Sequence, residues 1–165
     1  MKALSAVLPA VGMLLAFTTY APASALKGKK PKNVFFSGME TSSEVTDPGW
    51  TEMEDGNLLI RGMVQRAQDT TNDERTNGEL TIEANACLDP ATSWGPLWGT
   101  FVLENPGGKW LAAWIGQKKS QGVTIFAMGY GVGTYEDLMA NWTYTRQGED
   151  PNAPFSIHGF IVQKN

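Results

Sequence analysis

From about Asn57 to the C-terminus the chain repeats one pattern. Short apolar runs rich in β-branched and aromatic residues alternate with Gly-, Asn- and Pro-bearing turns. A chain written this way folds as antiparallel strands joined by tight connections. The pattern is plainest in GYGVGTYEDLMANWTYTR (Gly129 to Arg146) and APFSIHGFIV (Ala153 to Val162). No segment after residue 25 carries the three-to-four-residue apolar period of a long amphipathic helix.

Eight strands are expected. They are Asn33 to Met39, Leu58 to Gln68, Glu79 to Leu88, Pro96 to Glu104, Lys109 to Gln117, Val123 to Val132, Ala140 to Arg146 and Phe155 to Gln163. Asn105-Pro106-Gly107-Gly108 is a turn with both turn formers present, and Lys118 to Gly122 is the next hairpin. Glu40 to Asp55 reads as loop. Asp69 to Gly78 reads as a long, exposed polar connection. Gly62, Gly99, Gly116, Gly129, Gly131 and Gly159 lie inside strands. Such glycines weaken an open sheet but suit bends and bulges where a small barrel closes. The expected fold is an all-β, eight-stranded antiparallel up-and-down barrel.

The first 25 residues stand apart. Lys2 gives a positive start, Leu4 to Phe17 is apolar, and Ala23-Ser24-Ala25 supplies small residues for cleavage. This reads as a secretory signal, and the apolar run is shorter than the ~20 residues of a spanning helix. The protein is therefore expected to be exported, to the periplasm or outside the cell, without stable membrane insertion after cleavage. Residues 26–56 would form an N-terminal arm followed by the first strand and its loop. Residues 57–165 would form the barrel body, in one domain with 33–56.

The charge balance narrows the partners. Without Lys2 the basic count falls by one from 13, against 17 acidic residues. A mildly acidic domain is a poor nucleic-acid binder, which wants a basic stripe. Metal sites are not expected, since Cys87 and His158 are the sole residues of their types and no calcium-loop spacing occurs. No organic cofactor is implied. Cys87 has no disulfide partner and reads as a small buried hydrophobe. As a nucleophile it would need His158 brought beside it by the fold.

Alternation along each strand divides its side chains between two faces. Trp110, Ala112, Trp114 and Gly116 share one face, and Leu111, Ala113 and Ile115 the other. Phe126, Met128 and Tyr130 oppose Ile125 and Ala127. Both faces of the C-terminal strands are apolar, whereas a sheet with one wet face shows apolar–polar alternation. Something must cover the outside. Either copies of the chain pack sheet on sheet as a dimer or trimer, or one face lines an apolar lumen and an arm covers the other.

Six tryptophans fit either a core filled by large residues or an aromatic pocket. In the pocket reading Trp110, Trp114, Phe126, Met128, Tyr130, Trp142 and Tyr144 form the walls around a small hydrophobic molecule. Arg61, Glu83 and Asn85 lie on more polar strand faces, either toward solvent or as polar handles of a lumen. A buried carboxylate such as Glu83 or Glu104 could serve as acid or base.

The run Gly129-Tyr130-Gly131-Val132-Gly133-Thr134-Tyr135-Glu136-Asp137-Leu138 has the form GxGxGxYxxL. It resembles the allene oxide cyclase-like barrels, a calycin-like group that includes dirigent-type proteins, and in similar segments of exported bacterial proteins WGTF (Trp98 to Phe101) and WTYTR (Trp142 to Arg146) have close counterparts. The resemblance spans roughly Asn57 to Val162. It implies an eight-stranded barrel with an apolar cavity, often trimeric, that binds or steers hydrophobic intermediates. No catalytic motif of that group carries over, so Arg61, Glu83, Asn85 and Glu104 are candidates by position in the strand pattern alone. The glycine run is not a dinucleotide fingerprint, because no helix follows to cradle a phosphate. Three functions stay open: a carrier of a small hydrophobic or aromatic molecule, a cyclase or isomerase, and a structural protein with a filled barrel.

Overall fold

The computed structural model describes residues 33–41, 44–148 and 150–164; the expected signal segment and most of the arm lie outside these residues. Ten strands run through the described chain. They are β1 (Val34–Thr41), β2 (Val45–Asp47), β3 (Trp50–Glu54), β4 (Asn57–Thr71), β5 (Gly78–Leu88), β6 (Gly95–Asn105), β7 (Gly108–Lys119), β8 (Gly122–Gly133), β9 (Leu138–Gln147) and β10 (Phe155–Gln163). A single 3-10 turn, Glu74–Thr76, is the one helical element among the described residues.

Eight of these strands form a ring. From β4 to β10 each strand pairs antiparallel with the next. β1 then pairs with β10 on one side and with β4 on the other. The closing seam is short, running from Gly38↔Thr71 to Thr41↔Gln68. All eight expected strands are present in this ring.

The stretch expected to be loop, 40–55, instead holds β2 and β3, which pair with the part of β4 that β1 does not reach. Asp69 to Gly78 also departs from expectation. β4 continues to Thr71, and both Asp69 and Thr76 are fully buried. Asp73 caps the 3-10 turn and grips Arg75, which allows so polar a segment to fold inward.

One bulge sets the bend of β4. Ile60 pairs with Ala86 and Met63 with Ala84, so Arg61 and Gly62 together oppose Asn85. Gly62 sits at φ +66°, where a side chain is disfavoured. Its N–H donates to Asn85 Oδ1 at 3.1 Å. The extra residue keeps Ile60 and Met63 on the same, inner side of the ring.

The interior is packed at one end. Trp142 lies edge-on to Phe101 (5.3 Å between ring centroids), Trp110 (5.6 Å) and Phe36 (6.2 Å). Each such pair contributes about 0.5–1.5 kcal/mol beyond burial. Tyr135 stacks on Trp110 at 5.3 Å, and its hydroxyl donates to Asn105 Oδ1. The Trp110 indole N–H donates to the Arg75 carbonyl at 2.7 Å, tying the 3-10 turn over this end. Gly131 makes the closure possible, because a Cβ there would collide with the Tyr135 backbone carbonyl and Cβ. The glycine-rich run is thus the hinge of a plug.

Candidate functional site

At the other end the ring stays hollow. A cavity of about 220 Å³ opens there, walled by Met63, Ile82, Leu97, Phe101, Trp114 and Ile125. Its polar residues include Glu40, Gln65, Lys118, Tyr144 and Arg146. Lys118 pairs with Val123, which pairs with Arg146, so the two cations stand in one cross-strand row at the rim. A second hollow of about 250 Å³ continues outward past the same row, toward Trp94 and Pro151.

Two buried acids meet below the rim. Glu40 is the last residue but one of β1 and the cross-strand partner of Asp69 on β4. Asp69 is 0 % exposed, and its Oδ2 accepts the Tyr144 hydroxyl proton at 2.9 Å. Asp69 Oδ1 is buried with no protein partner. Burial pushes the Asp69 carboxyl up to about 8; the Glu40 charge adds to the rise, and the Tyr144 hydrogen bond opposes it. Burial likewise raises Glu40 to about 7, against the pull of Arg146. Desolvation, followed by the two carboxylates, moves the Tyr144 phenol well above its ordinary range. Arg146 is itself lowered by burial. Its Nη1 donates to the Pro151 carbonyl at 2.8 Å, and its guanidinium lies 4.7 Å over the Phe155 ring.

An isolated ionised carboxylate is costly to bury, and such a group stays neutral by holding its proton. Of the two, Glu40 borders the cavity, so near neutrality it can donate a hydrogen bond into that space or take up a proton there, while Asp69 is held behind it by Tyr144. No cluster of His, Cys, Asp and Glu with metal-binding geometry occurs among the described residues.

The residues expected at a site scatter over the ring. Trp110, Trp114, Trp142 and Tyr144 point inward, but only Trp114 and Tyr144 border the cavity. Trp110 and Trp142 belong to the packed end. Phe126, Met128 and Tyr130 are on the outer wall, each at least half exposed, and cannot wall the same space. The correction follows from register. Trp114 pairs with Ala127, so the inner face of β8 carries Ile125, Ala127 and Gly129.

Of the polar candidates, Glu83 is exposed on the outer side of β5. Glu104 is exposed and pairs with Lys109 at 3.6 Å. Arg61 pairs with Glu54 at 3.7 Å and lies over Trp50. Asn85 braces the β4 bulge and, of these polar candidates, is the one that also borders the cavity. Cys87 is half-buried on β5 and His158 is exposed on β10, with β4 and β1 between them on the shorter way round the ring.

Glu40, Asp69 and Arg146 were not among the candidates. A signal for the two acids exists in the alternation. Phe36, Gly38 and Glu40 share a face, as do Met63, Gln65, Ala67 and Asp69. Extending each strand by its own period places both acids inside.

No protein-family model, curated protein or solved structure matches this chain.

Proposed function

We propose that the protein is an exported carrier whose ring holds one small apolar or aromatic molecule at its open end, with a polar group of the ligand at Glu40. The observation that carries this reading is the apolar cavity with a buried carboxyl at its side. Ligand sites have this composition: mostly apolar walls and a few convergent polar groups. At about 220 Å³ the space equals about seven waters at their liquid volume, which suits a molecule of one or two rings. The hollow half of the ring speaks against a barrel filled from end to end. The apolar run Leu4 to Phe17 with Ala23-Ser24-Ala25 supports export, and the GxGxGxYxxL run supports kinship with allene oxide cyclase-like, calycin-type barrels.

A second reading is a cyclase or isomerase of that kind. It is favoured by the ionisation of Glu40 and Asp69, near 7 and 8, because a general acid or base works best when poised near ambient pH.

Native mass spectrometry of the protein purified from its own host tests the carrier reading. A retained small molecule is expected, and Ile125→Trp, which fills the cavity, should abolish its retention. Phe126→Trp, one residue along on the outer wall, should leave it intact. Equal loss from both variants, or no retained mass in the unaltered protein, refutes the reading. Conversion of the retained molecule to a product of different structure, lost in Glu40→Gln, would decide for the enzyme.

A further inference from the structure

The outer wall of the ring is two unlike halves. Over β4, β5 and β6 it carries Arg66, Glu79, Glu83 and Glu104, with Arg66 and Glu79 paired at 3.6 Å. Over β7, β8, β9, β10 and β1 three consecutive cross-strand rows carry no Asp, Glu, Lys or Arg. The first is Leu111–Tyr130–Met139–Val162. The second is Ala113–Met128–Asn141–Phe160–Phe35. The third is Ile115–Phe126–Thr143–His158–Ser37.

We propose that this uncharged half of the wall is an interface with a second copy of the same chain, packed sheet on sheet. The inference is independent of what the lumen holds. Phe35 is 72 % exposed, Ile115 66 %, Phe126 and Met128 57 %, and Tyr130 50 %. With side chains of about 150–250 Å² each, these five alone leave on the order of 500 Å² of apolar surface in water. Leu111, Met139, Phe160 and Val162, half-buried in the same rows, extend it. The sum approaches the ~800 Å² that one partner contributes to a standard interface. It also reaches the upper range of about 300–600 Å² for the largest patch on a monomer.

The composition matches an interface core, with aromatic residues and Met enriched and charge absent. Charged groups stand at the margins, as Lys109 and Lys119 on β7 and as Lys164, whose Nζ is 5.5 Å from the Tyr130 ring. An uncharged patch meets its own copy without like-charge repulsion, as a twofold contact requires. A nucleic acid or an anionic lipid would find no countercharge in these rows. A membrane-spanning barrel needs an apolar band around the whole wall, and β4 to β6 break it.

Sedimentation velocity on protein expressed from the full chain, up to about 100 μM, tests the proposal. A mass of at least two copies is expected. Met128→Lys, central in the middle row, should weaken association by at least about tenfold through a desolvated ammonium at the contact. Thr81→Lys on the charged half should not change the mass. If Met128→Lys fails to fold, Phe126→Ser with Tyr130→Ser carries the same expectation. A monomer throughout the range overturns the proposal. So does association that neither outer-wall variant weakens. Binding of an unaltered protein that stays monomeric to neutral phosphatidylcholine vesicles, lost in Met128→Lys, would assign the face to lipid instead and overturn it too.

Discussion

The buried acids make an unusual demand on stability, and replacing Asp69 by Asn exposes it. In the unfolded chain the Asp69 carboxyl releases its proton around 3.8; in the fold it holds it to about 8. Between those values the native state binds the extra proton, so stability falls as pH rises. The contribution is fully present below about 3.8 and lost as pH climbs through about 8. At about 1.4 kcal/mol per pH unit the loss is on the order of 5 kcal/mol, large against a typical total of 5–15 kcal/mol. Glu40, moved from 4.5 to about 7, acts with the same sign over a narrower window. Asp73 is lowered by Arg75 and works the other way, but only toward acid pH, where it falls below the window. Asp69→Asn keeps an oxygen for the Tyr144 hydroxyl and removes the titration. Urea unfolding of both proteins from pH 4 to 9 should give similar stabilities at the acid end. By pH 8–9 the variant should be more stable by several kcal/mol. Parallel curves, or a variant whose advantage grows toward acid pH, would refute the placement of Asp69 as a buried, partly unsatisfied carboxyl.

Two further substitutions check the architecture. Gly131→Ala drives a methyl into the Tyr135 backbone, so chemical denaturation should show a loss above the 1–3 kcal/mol of ordinary overpacking; a neutral result would mean that Tyr135 does not fold back as a plug. Asn85→Ala strands the Gly62 N–H at the bulge and should cost about 1–3 kcal/mol. The neighbouring exposed Glu83→Ala should stay within about 0.5 kcal/mol, and equal effects would put Asn85 outside the bulge.

The strand rhythm was legible because it depends on local chemistry: β-branched and aromatic runs, and turns whose residues accept turn geometry. The lumen was not, and one hairpin explains much of the error. A turn centred on Ser120 pairs Trp114 with Phe126 and puts Phe126, Met128 and Tyr130 inside. The observed turn is the two residues Ser120 and Gln121, which pairs Lys119 with Gly122 and Trp114 with Ala127. That displacement of one residue sends a whole strand to the other face. Tight turns of two residues suit antiparallel strands, but SQG carries no Asn-Gly signal to fix the centre. β3 was missed for a different reason. WTEME is exposed throughout and pairs with β4 on one side alone, so it has no apolar alternation to read. Glu40 and Asp69 fell into presumed loops because acids are depleted in strands and seldom buried.

That last failure locates the site better than any motif did. Around the two acids local chemistry and fold largely agree: Gly99 and Gly159 face rings, Trp110 and Tyr135 of the plug are hydrogen-bonded, and the charged half of the wall faces water. At Glu40 and Asp69 they conflict, for an apolar pair at these cross-strand positions would close the ring without the cost described above. A place where local rules break without a structural gain is where function is to be sought. The geometry gives the conflict a direction. The Trp110–Tyr135 plug packs one end, and Glu40 borders the cavity at the hollow end together with Lys118 and Arg146. Stability is lost there and a proton-holding group is gained, beside an apolar cavity with room for a ligand.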